Sequence, residues 1–448
     1  MEKRICYNTT PAQDVVILQL RYTLFKRVVN ILASVSSSEK TDWNLMEKAF
    51  NMTVARNDCC RIRFEKQGKK LVQYFVDKAV FENIPRIVFS TEEDQEAWVL
   101  KTRRKAIDYM HGHVIEPYFI NTWDGKYMVF IKVCHTVLDA YGINILFNDL
   151  AGVYNALRNG TSLPPEPGSF ESLIQKDLAT EERNFERDEE YFRRYLNRPM
   201  PYYTGIHGDN SVIWKKRAAR GVHSMKMFFI NNDTESAMHP IDAALVKRVL
   251  EWCAEKEKSI ASFFLYTFQI TSSLVNHRTG STLSLELCNC RATALEKKTA
   301  GTKAQSIMRY TYVDYNRSFE ENFDSFTMDE AQLYRHVGFP ETRSEVMLHD
   351  MYRFGMMDTL YNCTFSLIPV KAIPGFDFRM YSNGKFPLPA YIALMLDVDT
   401  NEIQMLYDCQ KKVTNADDVR RFHAKYVEVL KSVLDSPEAL LSELNEDW

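Results

Sequence analysis

The chain has 448 residues, a formal net charge of −3 and a hydrophobic fraction of 45%. These values are ordinary for a soluble globular protein, and the length suffices for two lobes with separate cores. The near-zero charge leaves no basic field that would indicate nucleic-acid binding. No apolar run approaches the ~18 residues of a membrane span, so no membrane interaction is expected. Nine irregularly spaced cysteines suit a reducing compartment and predict a cytoplasmic protein.

The N-terminal part of the chain predicts a mixture of helices and strands. An apolar strand over residues 127–135 follows the turn dipeptide Asp124-Gly125. A helix follows, because apolar residues recur at helical spacing over 143–157. Next come Asn159-Gly160 and three prolines within 164–167, which favour an extended connector. We therefore predict an N-terminal lobe over 1–163 and a connector over 164–180.

Residues 181–448 are predicted to form a C-terminal lobe. A charged helix is expected over 181–198, with its aromatic side chains facing inward. Further regular elements are expected in four places: helices over 243–256 and 259–275, a strand over 281–287, and a hairpin over 391–398 and 402–407. The last helix carries an apolar face formed by Val419, Phe422, Tyr426, Val429 and Val433. Residues 301–324 show no clean periodicity. The alternation of helices and strands predicts an α/β fold.

His135 is the only one of ten histidines with an aspartate four residues later, Asp139. The predicted strand ends on His135, and the predicted helix begins at Asp139. A histidine at this place presents its imidazole at a sheet edge. His135 is therefore the candidate catalytic residue.

The stretch from Cys134 to Ala140 resembles the His-His-x-x-x-Asp-Gly active-site motif of condensation domains from nonribosomal peptide synthetases. Those domains belong to the wider chloramphenicol acetyltransferase-like superfamily of acyltransferases. The second histidine, which carries the chemistry in that family, is present as His135. Cys134 stands in place of the first histidine and Ala140 in place of the glycine, with Gly142 two places later.

The resemblance extends along most of the chain. Arg56, Arg61, Arg63 and Phe64 match the family's Arg-His-x-x-Leu-Arg-Thr-Arg-Phe pattern, which follows its first long helix. In the second lobe, the strand ending near residue 287 and the following Arg291 are similar to the family's central strand and arginine. The Gly-Cys-Phe-Val-Asn-Thr and Arg-Asp-x-Ser-Arg-Asn-Pro stretches of the family are unrecognisable. The chain is identified as a divergent, free-standing relative.

The resemblance implies a fold and an activity. The fold is α/β, with two chloramphenicol-acetyltransferase-like lobes arranged as a V around a central channel. The activity is transfer of an acyl group from a phosphopantetheine thioester to a small amine or alcohol. His135 would act as general base or stabilise the tetrahedral species. No cofactor is expected to be bound, since a carrier protein or CoA supplies the thioester. The identity of donor and acceptor and the oligomeric state stay open.

Roles for the neighbouring residues also follow from the resemblance. Asp139 is expected to hold the motif loop by pairing with an arginine, and the matching arginines are Arg63 and Arg291. A buried carboxylate without such a partner would cost several kcal/mol. Cys134 and His135 alternate along a strand and point to opposite faces, so Cys134 is interpreted as a packed thiol rather than a nucleophile. Ala140 and Gly142 complete the motif loop, where a methyl group narrows the space that glycine leaves.

Two alternative functions stay open. One is an acyl-CoA-dependent alcohol O-acyltransferase. The other is a catalytically silent relative that docks carrier proteins as a scaffold, because the motif departs from the family at Cys134 and Ala140. No metal site is expected: His111 and His113 could share one strand face, but no third ligand is near in sequence.

Overall fold

The computed structural model describes residues 4–228 and 230–448, the side chain of Tyr22 excepted. Its α-helices are α1 (Pro11–Tyr22), α2 (Trp43–Arg56), α3 (Glu92–Arg104), α4 (Ala140–Asn159), α5 (Phe170–Tyr195), α6 (Val212–Ala218), α7 (Ala243–Glu255), α8 (Ile260–Leu274), α9 (Phe319–Leu333), α10 (Glu341–Tyr352) and α11 (Ala416–Asp435). Its strands are β1 (Tyr7–Asn8), β2 (Asn30–Ser37), β3 (Ile62–Gln67), β4 (Lys70–Phe75), β5 (Arg86–Val88), β6 (Ile115–Asn121), β7 (Tyr127–Cys134), β8 (Met225–Lys226), β9 (Thr234–Ile241), β10 (Ser281–Cys288), β11 (Gln305–Tyr312), β12 (Asp358–Thr359), β13 (Tyr361–Val370), β14 (Asp377–Tyr381), β15 (Ala390–Asp397) and β16 (Ile403–Gln410). The predicted α/β class is confirmed.

The chain folds into two compact units. The first contains Met1–Asn184, Asn289–Ala304 and Val370–Asn383, and the second contains Phe185–Cys288, Gln305–Pro369 and Gly384–Trp448. These units differ from the predicted division into 1–163, 164–180 and 181–448, because two later segments of the chain return to the first unit. The boundary between the units also falls inside α5 rather than at the prolines.

The extended connector is shorter than predicted, since α5 already begins at Phe170. The carboxylate of Asp58 accepts hydrogen bonds from the backbone N–H groups of Phe170 (2.8 Å) and Glu171 (3.1 Å) and from the hydroxyl of Ser169 (2.8 Å). These bonds satisfy donors that the first helical turn leaves unpaired. Asp58 is distant in sequence, so the local proline pattern did not indicate this helix start.

The first unit is built on a five-stranded sheet in the order β14-β2-β7-β6-β5. β7 lies in the middle and pairs antiparallel with β2 on one side and β6 on the other. Seven of its eight residues are buried, which explains its largely apolar sequence. The exception is Lys132, which is buried and pairs with Glu116 on β6 at 2.7 Å. The returning segment 370–383 supplies β14, which pairs antiparallel with β2. The C-terminal end of β7 is therefore held from both sides.

A single apolar cluster joins α2 and α4 to this sheet. The predicted inward positions of α4 are buried, among them Ile143, Leu146, Phe147 and Leu150. Asp139 caps this helix: its side chain accepts the backbone N–H of Gly142. The helical spacing read from the sequence is confirmed here. The start of α4 is thereby fixed directly beside the end of β7.

The second unit contains a six-stranded sheet in the order β11-β10-β13-β15-β16-β9. The predicted apolar face of α11 is buried in the main core of this unit, together with α7 and α8. β11 lies in the region where no periodicity was visible. Residues on both of its faces are buried, including Arg309, so the alternation typical of a half-exposed strand is absent. No helix in the described part of the chain is long and apolar enough to span a membrane.

Candidate active site

The strand was predicted to end on His135; in the structure β7 ends at Cys134, and His135 is the residue directly after it. Its backbone N–H donates to the carbonyl of Val29 at 2.9 Å. The hydroxyl of Thr302 donates to its backbone carbonyl at 2.6 Å. Thr302 belongs to the returning segment 289–304, which lies in the same compact unit. Both backbone groups of His135 are thus held, and the position of its ring depends on side-chain rotation alone.

The imidazole of His135 is half-buried. Within residues 4–228 and 230–448, Nδ1 is buried without a hydrogen-bond partner, whereas Nε2 is not buried in this way. Burial lowers the pKa of His135 below its usual range, and this lowering outweighs the opposing effects of the Asp139 carboxylate and of the backbone at His135 and Leu138. A lowered pKa favours the neutral form of the ring near pH 7.

The carboxylate of Asp139 is buried and fully engaged. It receives two hydrogen bonds from the guanidinium of Arg291, at 2.9 and 3.1 Å. Backbone N–H groups of Gly142 (2.7 Å), Lys303 (2.9 Å) and Ala304 (2.9 Å) donate to the same carboxylate. The Asp139 side chain therefore links the loop after β7, to which it belongs, with the first turn of α4 and with the returning segment 289–304.

The charge on this carboxylate is stabilised despite its burial. Desolvation acts to raise the pKa of Asp139, but the positive charge and hydrogen bonds of Arg291 and the backbone donors lower it overall. The Arg291 side chain is itself fully buried and also donates to the carbonyl of Gly301 at 2.7 Å. Bidentate geometry with further hydrogen bonds is the arrangement in which a buried ion pair is tolerated.

Of the two arginines considered as partners of Asp139, the structure brings only Arg291 to the motif. Arg63 lies on β3, where its guanidinium donates to the carbonyl of Ile62 at 2.7 Å and lies 3.2 Å from Nδ1 of His113. Of the two alternatives that the resemblance offered, Arg291 is therefore the partner of Asp139, and Arg63 is not. Both arginines match the family pattern, and which of them reaches Asp139 depends on where the segments pack rather than on spacing along the chain.

Cys134, the last residue of β7, is a packed thiol. Its side chain is buried in a small apolar cluster with Val28 and Val29. Burial raises the pKa of the Cys134 thiol, and this outweighs the hydrogen bond that it accepts from the hydroxyl of Thr136 at 3.1 Å. A thiol with a raised pKa and no open face is a poor nucleophile.

Gly142 is required by a close approach between two backbones. A Cβ added there would lie 2.6 Å from the carbonyl oxygen of Gly301 and 2.9 Å from its nitrogen. Ala140 is half-buried at the first position of α4. The glycine at 142 thus serves the packing of segment 289–304 against α4.

We expect Gly142→Ala to lower the free energy of unfolding by about 1–3 kcal/mol, since backbone atoms cannot rotate away from the added methyl group. Gly338→Ala is the matched control, because a Cβ at that position meets nothing within 4 Å. Thermal unfolding of both variants measures the difference. Equal melting temperatures would show that segment 289–304 does not pack against α4 as described.

Sequence reasoning missed the residues that hold segment 289–304 in place. Lys303 is buried and forms an ion pair with Asp177 on α5 at 2.8 Å. Glu296 pairs with Lys176, also on α5, at 2.8 Å. No local signal could indicate these contacts, because each pair is separated by at least 120 residues. The contacts anchor the segment that carries Arg291 and Thr302.

The two histidines considered as metal ligands face different partners. His111 contacts the carboxylate of Asp108 at 3.1 Å, whereas His113 contacts Arg63. Across residues 4–228 and 230–448, no three His, Cys, Asp or Glu side chains are grouped so that they could hold a metal ion.

Comparison with known proteins places this geometry in a family context. The family model for the condensation domain matches residues 4–302. One of the plipastatin synthase proteins of Bacillus subtilis (strain 168) is 20% identical over 432 residues, which cover 93% of this chain. The match covers only 16% of that relative, which is therefore a much longer protein than the chain described here.

Solved structures share the fold at low sequence identity. The first condensation domain of the calcium-dependent antibiotic synthetase, in complex with a substrate analogue, has a TM-score of 0.79 at 14% identity, covering 98% of this chain and 99% of that one. The starter condensation domain of rhizomide synthetase, in complex with C8-CoA, has a TM-score of 0.79 at 13% identity, covering 98% and 97%. The predicted chloramphenicol-acetyltransferase-like fold is therefore confirmed.

Proposed function

The chain belongs to the condensation domain family, whose members are acyltransferases of nonribosomal peptide and polyketide synthesis, and on that premise we propose that it transfers an acyl group from a phosphopantetheine thioester to an amine or hydroxyl acceptor. The observation that carries this proposal is the state of His135. Its lowered pKa favours the neutral ring near pH 7, its backbone groups are hydrogen-bonded on both sides, and Nδ1 is buried without a partner whereas Nε2 is not, so we assign Nε2 to the substrate.

The proposed reaction proceeds without an acyl-enzyme. Nε2 of His135 accepts the proton of the acceptor amine or hydroxyl as its nitrogen or oxygen attacks the thioester carbonyl carbon. The tetrahedral intermediate collapses with cleavage of the C–S bond, and the proton passes to the departing thiolate. His135 is thereby returned to its neutral form. Asp139 does not contact the reacting atoms; it is a positioning residue that acts through the motif loop.

The purified protein incubated with acyl-pantetheine thioesters and a panel of amines and alcohols tests this proposal. We expect release of free thiol together with an amide or ester, at a rate above that of hydrolysis. A second set of assays uses acyl-CoA with alcohols and tests for alcohol O-acyltransferase activity. Absence of transfer with every donor, including thioesters on carrier proteins, would favour a catalytically silent scaffold. That alternative is motivated by Cys134 and Ala140, where the motif departs from the family pattern.

The pH profile of acyl transfer is expected to report on His135. The imidazole accepts a proton only when it is neutral, and its pKa lies below the ordinary value of about 6.5 because of burial. The rate kcat/KM should therefore be constant near pH 7 and decline only as the pH falls through a value below 6.5. A profile measured on the acid side with a fixed donor and an alcohol acceptor checks this, because an amine acceptor would itself be protonated as the pH falls. An acid limb centred above 6.5 would contradict a buried neutral imidazole as the base.

A further inference from the structure

The side chain of Gln13 reaches the motif loop, which joins β7 to α4, from the N-terminal helix. Gln13 lies in the first turn of α1 and is fully buried. Its side-chain amide donates a hydrogen bond from Nε2 to the backbone carbonyl of Thr136, at 2.9 Å. Thr136 directly follows His135 and is also fully buried. Gln13 and Thr136 are 123 positions apart in the sequence, so this contact exists only in the folded unit.

Neighbouring groups fix the orientation of the Gln13 amide. Its Oε1 accepts the backbone N–H of Thr10 at 2.9 Å, as part of the capping box that begins α1. The buried side chain of Gln73 on β4 forms a reciprocal amide pair with Gln13, with hydrogen bonds of 2.7 and 2.8 Å. A flipped Gln13 amide would turn an oxygen towards the Thr136 carbonyl and a donor towards the Thr10 N–H. Both contacts would be repulsive, so the donor is held towards Thr136.

The capping of α1 does not by itself require a glutamine at position 13. A capping box needs a side-chain acceptor there, and glutamate supplies one as well as glutamine does. The bond to the Thr136 carbonyl needs a donor in addition, and a carboxylate has none. Gln13 therefore has two separable roles, and only the second one concerns the motif loop.

The bond from Gln13 completes the support of the backbone around His135. The peptide groups on either side of His135 are already held by their hydrogen bonds to Val29 and Thr302. The bond from Gln13 fixes the next peptide group, whose carbonyl belongs to Thr136. Because each peptide group is planar, three fixed groups in succession determine the backbone dihedral angles of His135 and Thr136.

Loss of the Gln13 donor would leave the buried carbonyl of Thr136 without this partner. An unpaired buried carbonyl is unfavourable, and rotation of its peptide group towards another donor relieves the cost. Such a rotation changes the backbone angles next to His135 and displaces the imidazole. Displacement of a catalytic group by about 1 Å can reduce a rate about 100-fold.

We propose that Gln13 is a positioning residue for His135, which sets the place of the imidazole by holding the carbonyl of Thr136. This inference rests on the proposed function, in which His135 is the base. Gln13 acts on the reaction only through the backbone of the motif loop. Its role complements that of Asp139, which ties the other end of the same loop to α4 and to segment 289–304. Loss of Gln13 should therefore slow the chemical step and leave substrate binding unchanged.

Two substitutions separate the two roles of Gln13. Gln13→Met removes both the donor and the acceptor with little change in volume. Gln13→Glu keeps the acceptor that caps α1 and removes only the donor. The matched control is Asn51→Leu, because the amide of Asn51 in the first unit also donates to a backbone carbonyl, that of Phe81, at 2.9 Å. The control thus loses a bond of the same kind and length outside the motif loop. Thermal unfolding verifies that each variant folds.

We expect kcat for acyl transfer to fall about 100-fold in both Gln13 variants, while KM stays within about twofold of the parent value. Asn51→Leu should keep the parent kcat even where its melting temperature falls as much as that of Gln13→Met. An unchanged kcat in both Gln13 variants would overturn the proposal, and so would an equal loss in the control. A loss in Gln13→Met alone would assign the effect to the cap of α1. A loss in Gln13→Glu alone would assign it to the introduced charge, and either result would also overturn the proposal.

NMR of the histidine side chains tests the inference without turnover. With isotope-labelled histidine, the signal of His135 is identified by its absence from His135→Ala. We expect the chemical shifts of the His135 ring to change in Gln13→Met and to match the parent protein in Asn51→Leu. The midpoint of its titration should rise towards the ordinary pKa of about 6.5, because a displaced ring loses part of the burial that lowers its pKa.

The two readouts distinguish a failure of this inference from a failure of the proposed function. If the parent protein turns over no donor but the His135 signal moves in Gln13→Met alone, the proposed chemistry fails and the positioning of the ring by Gln13 stands. If the parent protein transfers acyl groups and Gln13→Met changes neither kcat nor the His135 signal, the positioning role fails and the chemistry stands. An unchanged signal in a protein without turnover overturns both.

Discussion

Asp139→Ala is expected to lower the free energy of unfolding by about 3–5 kcal/mol, because it leaves the fully buried guanidinium of Arg291 without its counter-charge. Three backbone N–H groups, those of Gly142, Lys303 and Ala304, lose their acceptor as well. His135→Ala should cost much less, since its ring is only half-buried and Nδ1 has no hydrogen-bond partner within residues 4–228 and 230–448. The comparison of melting temperatures checks this, and equal values for the two variants would contradict a structural role of Asp139.

Two further measurements sharpen this test. The double variant Asp139→Leu with Arg291→Met should recover much of the loss, because a buried ion pair can often be replaced by apolar residues of similar volume. The difference between parent and Asp139→Ala should also depend on pH. The folded-state pKa of Asp139 is lowered from about 3.8, so its stabilisation is complete above that value and is lost as the pH falls through the folded-state pKa below it. A difference that is constant down to pH 2 would argue against the ionised pair.

His135→Ala is expected to reduce acyl transfer by about 100- to 10,000-fold, the usual contribution of a general base. The fold should persist, as judged by the melting temperature. His111→Ala is the matched control, because His111 is an exposed histidine of the same unit whose imidazole contacts the carboxylate of Asp108. Rates are compared at saturating donor. Full turnover by His135→Ala would remove this residue from the mechanism.

The elements that position His135 could be predicted from the sequence. The apolar run of β7 and the helical spacing of α4 are local patterns, and the residues between them had to form the turn. In the structure β7 ends one residue before His135 and Asp139 is the N-cap of α4, so both predicted boundaries hold to within one residue. Such predictions succeed because residues that are close in sequence show, by their hydrophobic pattern, that a central strand or one face of a helix is buried.

The contacts that complete the site could not be predicted in the same way. Two arginines matched the family pattern, and only packing distinguishes Arg291 from Arg63. The hydroxyl of Thr302 and the ion pair of Lys303 with Asp177 likewise join residues more than 100 positions apart. Periodicity carries no information about such pairs, since it describes only the environment along one element.

The sequence by itself determined the α/β class, the strand and helix around the motif, and the identity of the histidine that we propose as base. Only the tertiary structure decided which chain segments return to the first unit and which cation neutralises Asp139. The reason is physical. Local patterning reflects how each element buries its own apolar face, whereas a buried carboxylate is stabilised by whichever donors the whole fold brings to it. Gly142 illustrates the difference. The sequence shows a glycine at this position, but only the structure shows why another residue would not fit, because a Cβ there would meet the backbone of Gly301.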